Sequence, residues 1–362
     1  MTEVPGAGSK VGGAGTTAKA ERAGTPARVG RPTMNDVARA AGVSQSTVSF
    51  VLNDRRDIPV AAETRERILE AARSLGYRLN RRAQELRLNR STTLGVVSYG
   101  VASHPFAGAL LAGMQSAARA AGHVCMVIDV EGHDGDEAVA DLLDRGVTGI
   151  VHASAGTGPV IVNRALGETR ELFVGCWPES GGTGEGTVLP DDREGGRRAA
   201  AHLLDLGHRD IAFLGGPAAD FAAGEREAGL DDALRAAGVD PARVVRRNGD
   251  YGSRSGYRLA DELFDAGRPT ALICGNDQMA LGALLALHER GLRVPDDVSI
   301  VGYDDQEALA DAIHPALTTV RLPHREMGLR AAELLMKDPA GTPHAEMVDC
   351  PLVVRESTAR PR

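Results

Sequence analysis

Several things are scarce in this 362-residue chain. No apolar run approaches the roughly 20 residues needed to span a bilayer, so a membrane-spanning role is not expected. The first residues lack the apolar core of a signal peptide, so the expectation is a cytoplasmic protein rather than an exported one. The four cysteines, Cys125, Cys176, Cys274 and Cys350, lie far apart and form no CxxC pair. They read as free thiols in a reducing compartment rather than as a disulfide framework or metal site. Aromatic residues make up only 3% and lysine is nearly absent, a compositional bias toward Ala, Gly and Arg rather than the mark of a special fold.

Catalytic and cofactor signatures are equally thin. "GSRSG" has the outline of a nucleophile elbow, but its central residue is Arg254. There is no P-loop and no strand–GxGxxG–helix unit, and the ten histidines are scattered without metal-ligand spacing. No cofactor, no metal and no enzymatic activity are expected.

What the chain does have is a split charge. Residues 1–90 carry 16 Lys+Arg against 9 Asp+Glu, a net of +7, while the remaining 272 carry 25 against 40, a net of −15. The overall −8 therefore hides a basic head on an acidic body, the pattern of a protein whose one end meets a polyanion. Residues 1–31 are small and polar and cannot bury enough surface to offset ordering, so a disordered arm is expected there.

Residues 32–78 read as three helices. Thr33 or Asn35 can cap the first, Gly42 ends it, and Ser44 caps a second running to about Leu52. The third lies in "AAETRERILEAARSLGY", with Ile68, Leu69, Ala72 and Leu75 as its apolar positions. Ala38, Gly42 and Val48 form a packing instruction for two helices meeting steeply: a small contact, a left-handed turn and a filling side chain. Val37, Val51 and Leu52 continue that core. This is helix-turn-helix geometry, in which the second helix faces the major groove. Gln45, Ser46 and Ser49 would be exposed there, with Thr47 and Phe50 close by. Glutamine can pair with adenine, hydroxyls reach base edges or phosphates, and phenylalanine can lie against a thymine methyl. A three-helix packing module with a polar surface is the competing reading. Residues 79–92 are basic with little apolar face, and read as a linker that becomes helical when docked.

From Leu94 the rhythm changes to apolar strand-like runs, including "TLGVVSYG", "HVCMVIDV", "DIAFLGG", "TALICGND" and "VSIVGYDD", separated by helical segments. Strand–helix alternation with near-continuous apolar strands means α/β architecture with parallel, doubly wound sheets. "AAGHVCMVIDV" and "DLGHRDIAFLGG" repeat one helix–Gly-His–strand phrase, which favours two lobes of like construction over one barrel.

In "DVARAAGVSQSTVSFVLN", "TRERILEAARSLGY" and "NRRAQEL", residues 34–90 resemble the head of the lactose-repressor (LacI/GalR) family of bacterial transcription regulators. The likeness continues to about residue 337 through "DLGHRDIAFLGGP", "REAGLDDALRAAG", "GNDQMALGALLALHERGLRVPDDVSIVGYDD" and "LTTVRLPHREMG". It implies an all-α helix-turn-helix head, a hinge helix, and a two-lobed periplasmic-binding-protein-like body. The N-lobe would hold about 93–190 and 322–347, the C-lobe about 191–321 and 348–362. It further implies a homodimer on double-stranded, near-palindromic operator DNA, controlled by a small effector of the sugar or nucleoside class, in a cytoplasmic, nucleoid-associated protein. A cytoplasmic sugar-binding receptor with a vestigial or protein-contacting head is the alternative.

By the same resemblance Gln45 and Ser46 are base readers, and Phe50 stands where some members have arginine. Asn80, Arg82, Ala83 and Leu86 belong to the hinge, with Leu86 wedging into the minor groove. Leu79 replaces a proline usual before that Asn. Arg226, Asn276 and Asp304 stand at ligand-contacting positions, Tyr251 at that of a stacking aromatic, and Phe106 and Asp191 are further effector candidates. Arginine supplies a planar donor fork, aspartate accepts from hydroxyls, and Asn276 and Asp304 directly follow apolar strands, where open α/β sheets bind ligands. At Leu322 neighbouring members often carry glutamine, and Trp177 reads as core or cleft wall.

Overall fold

The computed structural model describes residues 32–55, 57–78, 91–103, 107–130, 134–162, 169–180, 186–337 and 345–362. The expected arm at 1–31, the hinge residues Asn80, Arg82, Ala83 and Leu86, and Phe106 lie outside the described residues. The chain divides into two units at Gln84–Glu85.

The first unit is helical: α1 (Met34–Ala41), α2 (Gln45–Leu52) and α3 (Ala62–Ser74). Thr33, not Asn35, caps α1. Its hydroxyl accepts from the Asp36 N–H at 3.4 Å, and the Asp36 carboxylate accepts from the Thr33 N–H at 2.9 Å, a reciprocal capping box. Gly42 ends the helix at φ 63°, a left-handed conformation that lets the Val43 N–H reach the Ala38 carbonyl. Val37, Val48 and Ile68 are fully buried, with Ala38, Ala41, Val51 and Ala72 around them. Leu69 and Leu75 depart from the sequence reading: at 38% and 37% exposed they lie outside this core. Ile68 and Ala72, four residues apart, already fill one face, and Leu69 is turned about 100° away from Ile68.

The second unit holds two six-stranded sheets. The first contains β1 (Thr93–Tyr99), β2 (Val124–Val130), β3 (Ile150–Val160), β4 (Glu171–Pro178), β5 (Thr187–Pro190) and, from far along the chain, β11 (Ala345–Val348). Its order is β11-β5-β4-β3-β1-β2, and every pairing is parallel. Helices α4 (Gly108–Ala120), α5 (Asp136–Asp144) and α10 (His324–Met336) accompany it.

The second sheet contains β6 (Ile211–Gly215), β7 (Val245–Asn248), β8 (Ala271–Cys274), β9 (Ser299–Asp304), β10 (Thr318–Arg321) and β12 (Leu352–Val353). Its order is β12-β10-β9-β8-β6-β7, with only β12 antiparallel. Helices α6 (Asp192–Leu206), α7 (Phe221–Ala236), α8 (Ser253–Ala266) and α9 (Asp277–Glu289) complete the lobe. The orders β5-β4-β3-β1-β2 and β10-β9-β8-β6-β7 are the same topology twice, although the repeated Gly-His–strand phrase leads into β2 in one lobe and into β6, the counterpart of β1, in the other. The chain passes between the sheets three times: after β5, after β10 and after β11.

Some helix pairs approach too closely for side chains. A Cβ on Gly282 of α9 would sit 1.9 Å from the Ser253 carbonyl oxygen of α8, and one on Gly256 would sit 2.2 Å from the Met279 carbonyl oxygen. Cys176, Cys274 and Cys350 are buried and Cys125 is half-buried; all four are free. Burial pushes the Cys350 thiol up to about 12. Among the described residues no helix is long and apolar enough to cross a membrane.

Candidate functional site

Two surfaces carry chemistry, one in each unit. In the first, the Ser44 hydroxyl accepts from the Thr47 N–H at 3.2 Å and so starts α2. Val48 and Val51 point into the core, which turns Gln45 and Ser46 outward and leaves Thr47, Ser49 and Phe50 half-buried. Ser44 Oγ lies 2.8 Å from both Ser46 Oγ and Thr47 Oγ1. Ser49 Oγ accepts from the Asn53 amide at 3.1 Å. Of the three positions expected to be exposed, Gln45 and Ser46 are, while Ser49 is half-buried like Thr47 and Phe50.

The second surface is a cleft of about 470 Å³, within the usual range for small-molecule sites. It forms where strands of both sheets end. One wall includes Ser154 and Thr157 on β3, beside a register shift between Ala153 and Gly158. The other includes Asp220, Tyr251, Asn276 and Asp304.

Arg226 sits at the base of that second wall, 6% exposed. Its Nε donates to Asp192 Oδ1 at 2.8 Å and its Nη1 to the Gly275 carbonyl at 2.6 Å. Nη1 is 4.0 Å from Asp304 Oδ1, and the guanidinium lies 3.8 Å over the Tyr303 ring. Burial opposes its charge, but Asp192, Tyr303 and Asp304 outweigh that and hold it protonated well above the usual arginine range.

Asp304 ends β9 at φ 107°, followed by Asp305 at φ 55°. Asp305 is clamped by Arg321 at 2.7 Å and Arg355 at 2.6 Å, which helps hold two consecutive non-glycine residues in this unfavourable region. Gln306 donates its side-chain amide to Asp304 Oδ2 at 2.9 Å and accepts from Gln278 at 3.0 Å. Burial pushes the Asp304 carboxyl up to about 6, with Arg226 opposing. At neutral pH it is an acceptor suited to hydroxyl or amide hydrogens.

The other candidates fare unevenly. Asn276 lines the cleft, but its amide oxygen caps α9 through the Met279 N–H at 2.8 Å and its NH2 donates to the Tyr251 carbonyl at 3.0 Å. Tyr251 lines the cleft at φ 66°, its hydroxyl donating to Asp220 at 2.7 Å. Asp191 is not among the lining residues. Its carboxylate caps α6 by accepting from the Glu194 N–H at 2.9 Å, and its neighbour Asp192 is the one that meets Arg226. Trp177 is not a lining residue either, and packs edge-on to Phe221 at 4.9 Å. Leu322 and His324 do line the cleft.

Sequence reasoning missed Asp220, Asp250, Gln278 and Gln306, all lining residues. Asp220 and Asp250 lie just beyond β6 and β7, so the strand-end rule that located Asn276 and Asp304 would have found them too.

Asp277 was also missed. It lies beneath the wall, fully buried, accepting from the Thr319 hydroxyl at 2.6 Å and the Gln306 N–H at 2.8 Å. Burial first, and Asp304 second, push its carboxyl from 3.8 up to about 8. A folded value above the unfolded one gives stability that is complete below the unfolded value and is lost as pH rises through about 8. Asp277→Asn keeps a neutral group able to meet both partners. Urea midpoints of the wild type are expected to fall relative to the variant as pH rises from acid to mildly alkaline. Parallel pH profiles would show that folding leaves the Asp277 carboxyl at its unfolded value.

Comparison with known proteins finds relatives of both units. Residues 33–80 match the family "Bacterial regulatory proteins, lacI family", and residues 200–358 match "Periplasmic binding protein-like domain". The chain is 34% identical over 338 residues to the Lactose operon repressor of Escherichia coli, covering 91% of each protein. It belongs to the lacI family. It is also 33% identical to the HTH-type transcriptional repressor PurR of Erwinia tasmaniensis, over 84% of this chain and 89% of that one. A crystal structure of the Lac repressor dimer bound to operator and the anti-inducer ONPF superposes with a TM-score of 0.72 at 33% identity, covering 91% of this chain and 99% of that one. These lacI-family relatives are transcriptional repressors, not enzymes, and the first unit is the family's DNA-binding helix-turn-helix head.

Proposed function

We propose that this protein is a ligand-responsive transcriptional repressor that binds a near-palindromic operator as a cytoplasmic, nucleoid-associated homodimer. Gln45, Ser46, Thr47, Ser49 and Phe50 face the major groove, and Asn80, Arg82, Ala83 and Leu86 serve the centre of the site. A small sugar-like or nucleoside-like effector enters the cleft, where Arg226, Asp304, Asn276 and Tyr251 hold it, with Phe106 as an outlying candidate. Ligand there shifts the population of the DNA-competent state.

The observation that carries the reading is a single chain with both a helix-turn-helix head and, in its other unit, a cleft at strand ends that includes several polar side chains. The Lac repressor, bound as a dimer to operator and a small anti-inducer, supports both halves of it.

The test uses full-length protein. A duplex is selected from a random pool, and sugars and nucleosides are screened by thermal shift, since a ligand that binds only the folded state raises the melting temperature. Affinity for the selected duplex is expected to exceed that for a scrambled one and to fall steeply with added salt, because phosphate contacts release counterions. A stabilising compound should change that affinity. Equal affinity for both duplexes, or a stabilising compound that leaves affinity unchanged, would refute the proposal.

A further inference from the structure

The recognition helix α2 contains no acidic and no basic residue. In the major groove guanine presents two acceptors, N7 and O6, and its commonest specific reader is a guanidinium or ammonium group. On this helix there is none. Elsewhere in the head, among the described residues, four arginines have partners within 3.2 Å, while Arg39 is 82% exposed and lies 3.8 Å from Asp36. Arg55 pairs with Asp57 at 2.5 Å, Arg65 with Asp54 at 3.2 Å and Arg73 with Glu70 at 3.2 Å, while Arg67 donates to the Ala41 carbonyl at 2.9 Å.

The hydroxyls are poor substitutes for such a fork. Ser44, Ser46 and Thr47 own three hydroxyl hydrogens between them, and the two 2.8 Å contacts through Ser44 Oγ consume two. One hydrogen remains for a base or phosphate, so the helix start is rich in acceptors and short of donors. Gln45, exposed beside them, offers one acceptor and one donor face, matching the N6 donor and N7 acceptor of adenine. Phe50 presents only an apolar edge, complementary to the thymine C5 methyl.

We propose that α2 reads its half-site through A·T pairs, adenine at Gln45 and thymine at Phe50, without a guanine contact. The inference rests on α2 being the base-reading helix of the proposed repressor. It concerns the major groove only, and leaves the composition of the central steps open.

The experiment takes the duplex selected by full-length protein and replaces bases with analogues that keep Watson–Crick pairing. 7-Deazaadenine within the half-sites removes N7 and is expected to weaken binding roughly ten-fold; uracil for thymine removes the methyl and should weaken it several-fold. 7-Deazaguanine in the half-sites is expected to leave affinity unchanged. In a parallel selection Phe50→Arg should enrich guanine and make binding sensitive to 7-deazaguanine. Half-sites with an invariant guanine whose N7 the wild type needs would overturn the inference while leaving the repressor reading intact. Failure to enrich any sequence would overturn the repressor reading, and this inference with it.

Discussion

Arg226→Ala will destabilise the second unit by about 3–5 kcal/mol, the usual consequence of removing one partner from a buried ion pair. Asp192 is 2% exposed and holds Arg226 through Oδ1, while its Oδ2 has no hydrogen-bond partner. Without the guanidinium, a buried carboxylate remains with nothing to offset its desolvation. Burial already raises its carboxyl against the pull of Arg226, so the orphaned group will take up a proton or loosen the start of α6. The Gly275 carbonyl and the Tyr303 ring lose a partner as well. Arg226→Met combined with Asp192→Asn removes both charges, and is expected to recover most of the lost stability without recovering ligand. Urea denaturation of the three proteins decides the matter. A loss below about 1 kcal/mol in the single variant would mean that the pair acts as a solvent-screened one.

Gly282→Ala is expected to cost about 1–3 kcal/mol or more, despite adding only one methyl group. The new Cβ meets backbone on α8, 1.9 Å from the Ser253 carbonyl oxygen and 2.6 Å from the Tyr257 nitrogen, and backbone cannot swing aside as a side chain can. The two helices must part. Because Asn276 caps α9 and holds the Tyr251 carbonyl, the displacement will also loosen the cleft wall. Gly224→Ala in α7 is the control, since a Cβ there has nothing within 4 Å. It should stabilise by about 0.4–1 kcal/mol by restricting the unfolded chain. Melting temperatures moving in opposite directions are the expected result, and equal shifts would contradict the packing argument.

The contrast between these glycines indicates what sequence alone makes legible. Gly42 is readable because a capped helix must end where a second capped helix begins a few residues on, whereas nothing in "QMALGALLALHERG" marks Gly282 as a backbone contact. Wholly or mostly apolar strands such as β1 and β8 declare themselves by composition. β5, β10 and β11, four residues each and of mixed polarity, are strands only because a neighbour offers hydrogen bonds. In α3, periodicity showed that a helix was present but left its buried edge ambiguous by one residue, so Leu69 was placed with Ile68.

The cleft divides in the same way. Asn276 and Asp304 are accessible from strand-end positions as well as family resemblance, Arg226, inside α7, from the resemblance alone. "PDD" does not say which aspartate caps and which pairs, and the structure gives Asp191 the first role and Asp192 the second. The Gln278–Gln306–Asp304 chain depends on left-handed backbone at Asp304 and Asp305. Aspartate tolerates that conformation but does not announce it.

The threefold passage of the backbone between sheets makes each lobe a mosaic of separated segments. The two lobes are therefore not detachable beads: proteolysis at one crossing leaves two others joining them. Exchange of a lobe with a related protein requires several coordinated junctions, so evolution can swap the head in a single recombination far more easily than it can graft half a cleft.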